Sequence, residues 1–254
     1  MADENGRAGR ERTRRRRSSG LIVFLTILFI AVIGIVGAAI FFRVSEVEIE
    51  GESRYTDEQI ISASGIEIGD SMLMLRGGPS EEAIKSEMPY IGNVSIEKQY
   101  PGKVVIKVDE RAAVACMRVG NETWLLDSNL KALEVTDGLA VKTYSFIKGF
   151  TTAKASAGHV LSVGEEEKTK LRYASEVLSS LEELGIIGDV TLVDVSNISG
   201  ITVEYQNRFK VKLGTGENIG HKLARLDGII PYLDDDDRGV IDVSGDSESY
   251  FIPD

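Results

Sequence analysis

LIVFLTILFIAVIGIVGAAIFF, residues 21–42, contains no charged side chain and one polar one, Thr26. At about 1.5 Å per residue a helix from Leu21 to Phe42 is about 33 Å long, enough for a hydrocarbon core of about 30 Å. A signal peptide carries an apolar region of only about 7 to 15 residues that ends in a small-residue cleavage site. Here Gly37-Ala38-Ala39 runs on into Ile40, Phe41 and Phe42. A core helix of a soluble protein keeps a polar face, and this one has none. The stretch reads as an uncleaved transmembrane helix over residues 21–42.

Its flanks orient it. Arg7, Arg10, Arg12 and the run Arg14, Arg15, Arg16 and Arg17 precede it, while Arg43 and an acid-rich chain follow. The positive-inside rule then puts the N-terminus in the cytoplasm and the rest outside, a single-pass type II arrangement. Residues 1–20 show no periodicity and read as a basic, disordered cytoplasmic arm. Seven arginines against three acids give the arm +4, so with a whole-chain net charge of −11 the remainder carries −15. An exterior so acidic is a poor nucleic-acid binder, since phosphate contacts need clustered Lys and Arg. The arm suits anionic membrane lipid. Cys116 is the only cysteine, so no intrachain disulfide can form, and its apolar run from Ala112 to Met117 reads as a buried strand.

Beyond the anchor the periodicities change quickly. Val47 and Ile49 alternate with Glu46, Glu48 and Glu50, the pattern of a half-buried strand. Thr56-Asp57-Glu58-Gln59 has capping-box spacing and Gly65 supplies a stop, which predicts a helix between them. A second helix is expected from a Ser80 cap to about Met88, before Pro89. Val94 and Ile96, then Val104, Ile106 and Val108, read as two strands joined at Tyr100-Pro101-Gly102-Lys103, where Pro followed by Gly predicts a type II turn. The order is β-α-α-β-β.

That order, placed directly after a membrane anchor, resembles a POTRA domain. Tyr100-Pro101-Gly102, Val104, Ile106, Val108 and Glu110-Arg111 are similar to the strand-turn-strand and closing Glu-Arg of the FtsQ/DivIB family of bacterial cell-division proteins. Ala113 stands where the family commonly has proline, followed by Val114 and Ala115. Trp124 to Asn129, returning through Leu130 to Val135, resembles the family's next hairpin, and Phe146 to Gly149 followed by Gly158 to Leu161 continues the likeness.

The remaining residues read as a mixed α+β domain with a largely antiparallel sheet. Leu171, Ala174, Leu178 and Leu181 form one stripe of a helix from Glu165 to Leu184. Val190 to Val195, Ile201 to Tyr205 and Phe209 to Leu213 alternate as a meander with Gln206-Asn207 as a turn. Ile219, Leu223, Leu226 and Ile230 mark a last helix before Pro231, and Gly239 to Val243 reads as the final strand. The expected division is a 1–20 arm, a 21–42 transmembrane helix, a 43–111 POTRA domain and a 112–254 FtsQ/DivIB-type β domain.

No constellation in the sequence carries catalytic chemistry. His159 and His221 stand alone, without zinc spacing. Asp234 to Asp237 lacks the alternation and glycine of a calcium loop and reads as a solvated turn. Gly214, Gly216 and Gly220 sit after a meander strand rather than in a βαβ unit, so a phosphate cradle is not expected. No cofactor, no metal and no enzymatic activity are expected. The candidate partner-binding surface is an open sheet edge at Gly239, Val240, Ile241, Asp242 and Val243, with Tyr250 and Phe251 beyond it. The resemblance implies a plasma-membrane scaffold at the division septum whose C-terminal end holds FtsB/DivIC-type and FtsL-type single-pass partners. A POTRA-containing transport or assembly protein and a signal-anchored cell-wall enzyme are the alternatives.

Overall fold

The computed structural model describes residues 15–245 and 247–254, and of residues 15–19, 140 and 141 only the backbone. Arg14 therefore lies outside the described residues, as do the side chains of Arg15, Arg16 and Arg17. Helix α1 spans Arg15–Phe41. Its stretch Gly20–Phe41 has a mean hydropathy of 3.0 and no buried residue, and among the described residues it is the one helix long and apolar enough to cross a membrane. A helix apolar all round is consistent with a membrane span. Leu21 is exposed on it, but Phe42 is not its last residue: that ring leaves the helix and meets Tyr100 edge-on, with centroids 5.7 Å apart, against the core of the next unit.

The POTRA-like unit follows as β1 (Glu46–Glu50), α2 (Asp57–Ser64), α3 (Gly77–Glu87), β2 (Ile91–Gln99) and β3 (Lys103–Glu110). Its sheet order is β1-β3-β2, with β1 parallel and β2 antiparallel to the central strand. The capping box forms, since Thr56 Oγ1 accepts from Gln59 N–H while Gln59 returns to Thr56 N–H, and Gly65 ends α2 at φ 65°. Helix α3 begins three residues before the expected cap, at Gly77, so Ser80 lies inside it; Pro79 is tolerated because first-turn N–H groups have no helical partner anyway. The turn at Tyr100 to Lys103 is not type II. The Tyr100–Pro101 bond is cis and Gly102 is not among the residues with positive φ. Glycine is needed there for room, because a Cβ would lie 2.6 Å from both Arg43 O and Ser45 Oγ. Ile60, Met72, Ile84, Ile91, Val104 and Ile106 fill the core.

The second unit is a nine-stranded sheet. Its strands are β4 (Ala115–Val119), β5 (Glu122–Leu126), β6 (Ala132–Thr136), β7 (Ser145–Lys148), β8 (Val190–Asp194), β9 (Ile201–Tyr205), β10 (Phe209–Gly214), β11 (Gly239–Asp242) and β12 (Tyr250–Pro253). The order is β12-β11-β10-β9-β8-β7-β4-β5-β6. Most neighbours are antiparallel; β10 with β11, β7 with β8 and β4 with β7 are parallel. A parallel connection needs a crossover, and the two helices supply it: α4 (Lys168–Glu183) carries the chain from β7 to β8 and α5 (Ile219–Ile229) from β10 to β11. Ala174, Val177, Leu178 and Leu181 of α4, and Ile219, Leu223 and Leu226 of α5, are buried with Val193, Val203, Val211 and Ile241 in one core. The acids expected at the start of α4 lie in a short 3-10 turn instead, and Glu167 folds back to accept from the N–H and hydroxyl of Thr151 and Thr152.

The two units meet at a seam of Tyr90, Cys116, Leu125 and Leu133, with Tyr55, Ala113, Tyr144 and Phe146 around it. Tyr90 Oη donates to Glu134 at 2.7 Å and Lys131 Nζ donates to Ile91 O at 2.7 Å. The guanidinium of Arg54 lies 3.4 Å from the centroid of the Tyr90 ring and pairs with Glu110 at 2.8 Å. Glu110 of the Glu-Arg motif thus fixes the cation that covers the seam tyrosine.

Candidate functional site: the terminal sheet edge

The expected edge, Gly239 to Val243, is not an edge. β11 pairs with β10 on one side and with β12 on the other, in the register Gly239↔Pro253, Val240↔Ile252, Ile241↔Phe251 and Asp242↔Tyr250. The strand that ends the sheet is β12. Its sequence signal is three successive β-prone residues, Tyr250, Phe251 and Ile252, but pairing with β11 is what makes them a strand.

Each candidate residue has its own place in this arrangement. Ile241 and Val243 are fully buried and belong to the core. Gly239 sits beneath β12 at φ 144°, where a Cβ would come within 2.1 Å of Ile252 O. Asp242 ends β11 by accepting from the N–H and hydroxyl of Ser244 at 3.0 and 2.6 Å, and the Ser244 hydroxyl leads the contacts that hold its carboxyl below the usual range. Val240 is half-buried beside Ile252. Phe251 turns inward and meets Phe209 edge-on, with centroids 5.9 Å apart. Tyr250 and Ile252 point the other way and are 57% and 53% exposed. The Tyr250 hydroxyl donates to Glu248, which raises its pKa.

The backbone of β12 completes the geometry. Asp254 N–H donates to Arg238 O at 3.1 Å, and bonding alternates along an antiparallel pair. Tyr250, Ile252 and Asp254 therefore turn their backbone groups toward β11. Phe251 and Pro253 turn theirs outward, where no strand follows among the described residues. The open side offers Phe251 N–H, Phe251 C=O and Pro253 C=O; proline has no N–H to offer. Arg225 braces the loop behind it, with Nη2 donating to Val243 O at 2.6 Å and Nη1 to Glu248 O at 3.0 Å.

The other candidates for chemistry do not come together. His159 and His221 are exposed, and Cys116 is fully buried with its thiol pushed up to about 11 by burial. Asp234 to Asp237 is a turn tied through its backbone to the residue just before β10: Arg208 Nη1 donates to the carbonyls of Asp234 and Asp235 at 2.8 and 2.7 Å. Among the described residues no three His, Cys, Asp or Glu side chains are grouped as metal ligands.

An apolar N-terminal helix, a β-α-α-β-β unit directly after it and a sheet-rich α+β unit beyond define a POTRA protein with a helix fit for single-pass anchoring. Residues 42–111 match the family model for the POTRA domain, FtsQ-type. The chain is 26% identical over 240 residues to the cell division protein DivIB of Clostridium botulinum (strain Hall), covering 94% of this chain and 92% of that one. It is 29% identical over 194 residues to the cell division protein FtsQ of Geobacter sp. (strain M21), covering 75% and 68%. A solved structure, the major extracytoplasmic domain of the trans isomer of DivIB from Geobacillus stearothermophilus, aligns at 15% identity and a TM-score of 0.33 over 50% of this chain and 98% of that one, a likeness too loose to bear on the fold. The resemblance to the FtsQ/DivIB cell-division proteins, read from Tyr100 to Arg111, holds along the chain, and it supports a role in cell division.

Proposed function

We propose that this protein is a non-enzymatic scaffold of the division machinery, held in the plasma membrane at the septum, that recruits and positions FtsB/DivIC-type and FtsL-type partners for cell-wall synthesis. In this reading residues 1–20, with Arg14 to Arg17, stay in the cytoplasm and residues 21–42 cross the membrane. Residues 43–111 and 112–254 stand outside as POTRA and β domains. The observation that carries the proposal is the open side of β12. Phe251 N–H, Phe251 C=O and Pro253 C=O await partners, and the exposed Tyr250 and Ile252 give an incoming strand apolar contacts beside them. The partners come from the likeness to DivIB and FtsQ proteins.

The test is binding of the full chain, in lipid nanodiscs, to the extracytoplasmic segments of the FtsB/DivIC-type and FtsL-type proteins of the same cell. Saturable binding that weakens at least tenfold in Ile252→Lys supports strand addition at this edge, since a lysine there is a common natural block to edge pairing. Binding that Ile252→Lys and Tyr250→Asp both leave unchanged refutes it.

A further inference from the structure

Where α1 gives way to the POTRA unit, a rigid loop carries apolar side chains that the described residues do not cover. The loop from Ile66 to Leu75 is bonded to the residues just leaving the helix. Met72 N–H donates to Phe42 O at 3.0 Å, Gly69 N–H to Val44 O at 2.7 Å and Val44 N–H to Asp70 O at 2.8 Å. Arg43 Nη1 adds a bond to Gly69 O at 2.8 Å, and Lys98 Nζ reaches from β2 to Met72 O and Leu75 O at 2.9 and 2.5 Å. Ile66 and Met72 are buried and pin the loop from within. On this frame Ile68, Leu73 and Met74 are 67%, 58% and 82% exposed, and Tyr100, stacked edge-on against Phe42, is 58% exposed.

We infer that Ile68, Leu73, Met74 and Tyr100 form a collar that dips into the membrane interface at the end of α1, a second bilayer contact beside the anchor itself. The inference rests on α1 being that anchor. What names the bilayer as the occupant is continuity: the loop is bonded to Phe42, Arg43 and Val44, the first three residues past the helix, so it cannot stand away from the leaflet where the helix ends. The side chains fit that place. Aliphatic groups enter the acyl boundary, and a tyrosine with an apolar ring and a polar hydroxyl belongs at headgroup depth. Of the two carboxylates in the loop, Asp70 turns back to accept from Glu67 N–H at 3.0 Å, and Glu67 is exposed. One contact leaves a domain free to swivel about its anchor; two fix its tilt, and with it the direction in which the β12 edge faces.

The experiment uses the full chain in vesicles of phosphatidylethanolamine and phosphatidylglycerol containing lipids brominated at shallow or deep chain positions. In a Trp124→Phe background, single tryptophans are placed by Leu73→Trp, Met74→Trp, Ile33→Trp within α1, and Tyr232→Trp, a site 87% exposed in the second unit. Expected are quenching of Ile33→Trp by deep bromines and of Leu73→Trp and Met74→Trp by shallow ones, at least threefold above Tyr232→Trp. Quenching of Ile33→Trp alone overturns the collar and leaves the anchor, as when another protein is the true occupant. No quenching of Ile33→Trp overturns both. Because tryptophan itself favours interfaces, a nitroxide on Met74→Cys, with Trp124 retained, decides the matter. Cys116 is fully buried and stays unlabelled. Greater accessibility to oxygen than to a water-soluble nickel complex supports the collar, and the reverse overturns it.

Discussion

Gly239→Ala tests whether the terminal strand is held where the register puts it. A Cβ at this position would lie 2.1 Å from Ile252 O and 2.9 Å from Pro253 Cα, whereas non-bonded heavy atoms settle at about 3.4 Å or more. The strand must back away by about 1.3 Å, which stretches a hydrogen bond of about 2.9 Å past 4 Å and ends it. Losing two ladder bonds at about 1 kcal/mol each, with about 1 kcal/mol more for an alanine held at φ 144°, gives about 3 kcal/mol of local destabilisation. Hydrogen exchange at the inward N–H groups of Ile252 and Asp254 should then quicken about 100-fold. The amides of Val211 and Leu223, in the main core, should keep their rates. Binding of an added strand should fall with the protection of β12. Unchanged exchange at Ile252 and Asp254 in the folded variant would refute the pairing on which the proposed docking edge depends.

Three further outcomes are expected. Glu167→Gln should cost about 2 kcal/mol in urea unfolding at pH 7, because the carboxylate satisfies two backbone N–H groups and two hydroxyls. The bonds, the Thr152 hydroxyl first, hold the Glu167 carboxyl at about 2 against an ordinary 4.5, so its contribution is complete above pH 4.5 and fades as pH falls toward 2; repeating the titration at pH 3 should narrow the gap between wild type and variant. Tyr90→Phe keeps the ring under Arg54 but removes the 2.7 Å bond to Glu134, and should lower stability by about 1 kcal/mol in the same assay. Cys116 should resist a thiol reagent at pH 8 until the chain unfolds, since it is fully buried and burial raises its thiol to about 11; rapid labelling of the native protein would contradict the packing at the seam.

The features legible in the sequence are those that local chemistry decides. Thr56 and Gln59 reach each other within one helical turn, so the capping box could be read without knowing the fold. The stripe of α4 and the alternation of β9 and β10 are likewise periodicities of single elements. Features that local chemistry does not decide depend on distant partners. β12 is a strand because Tyr250 to Pro253 lie against Asp242 to Gly239, and its own alternation is weak, with only Phe251 turned inward. Gly102 carries no mark saying that it must make room for Arg43 O and Ser45 Oγ rather than supply a positive φ. Phe42 looks like the last residue of an apolar run, yet it packs on the unit beyond. Glu110 reads in sequence as a motif residue, but its charge acts through Arg54 on a tyrosine of the seam, a role no spacing announces.

The seam takes Cys116 from β4, Leu125 from β5, Leu133 from β6 and Phe146 from β7, and the sheet runs on from these strands to β12. Between five and eight strand spacings of about 4.8 Å, about 24 to 38 Å along the sheet, separate those strands from β12. The seam itself is tied by side chains and by a lysine bonded to backbone, with no slack linker between the units. The far rim is thus held about 2 to 4 nm along the sheet from the seam, and the chain acts as a measuring rod between them.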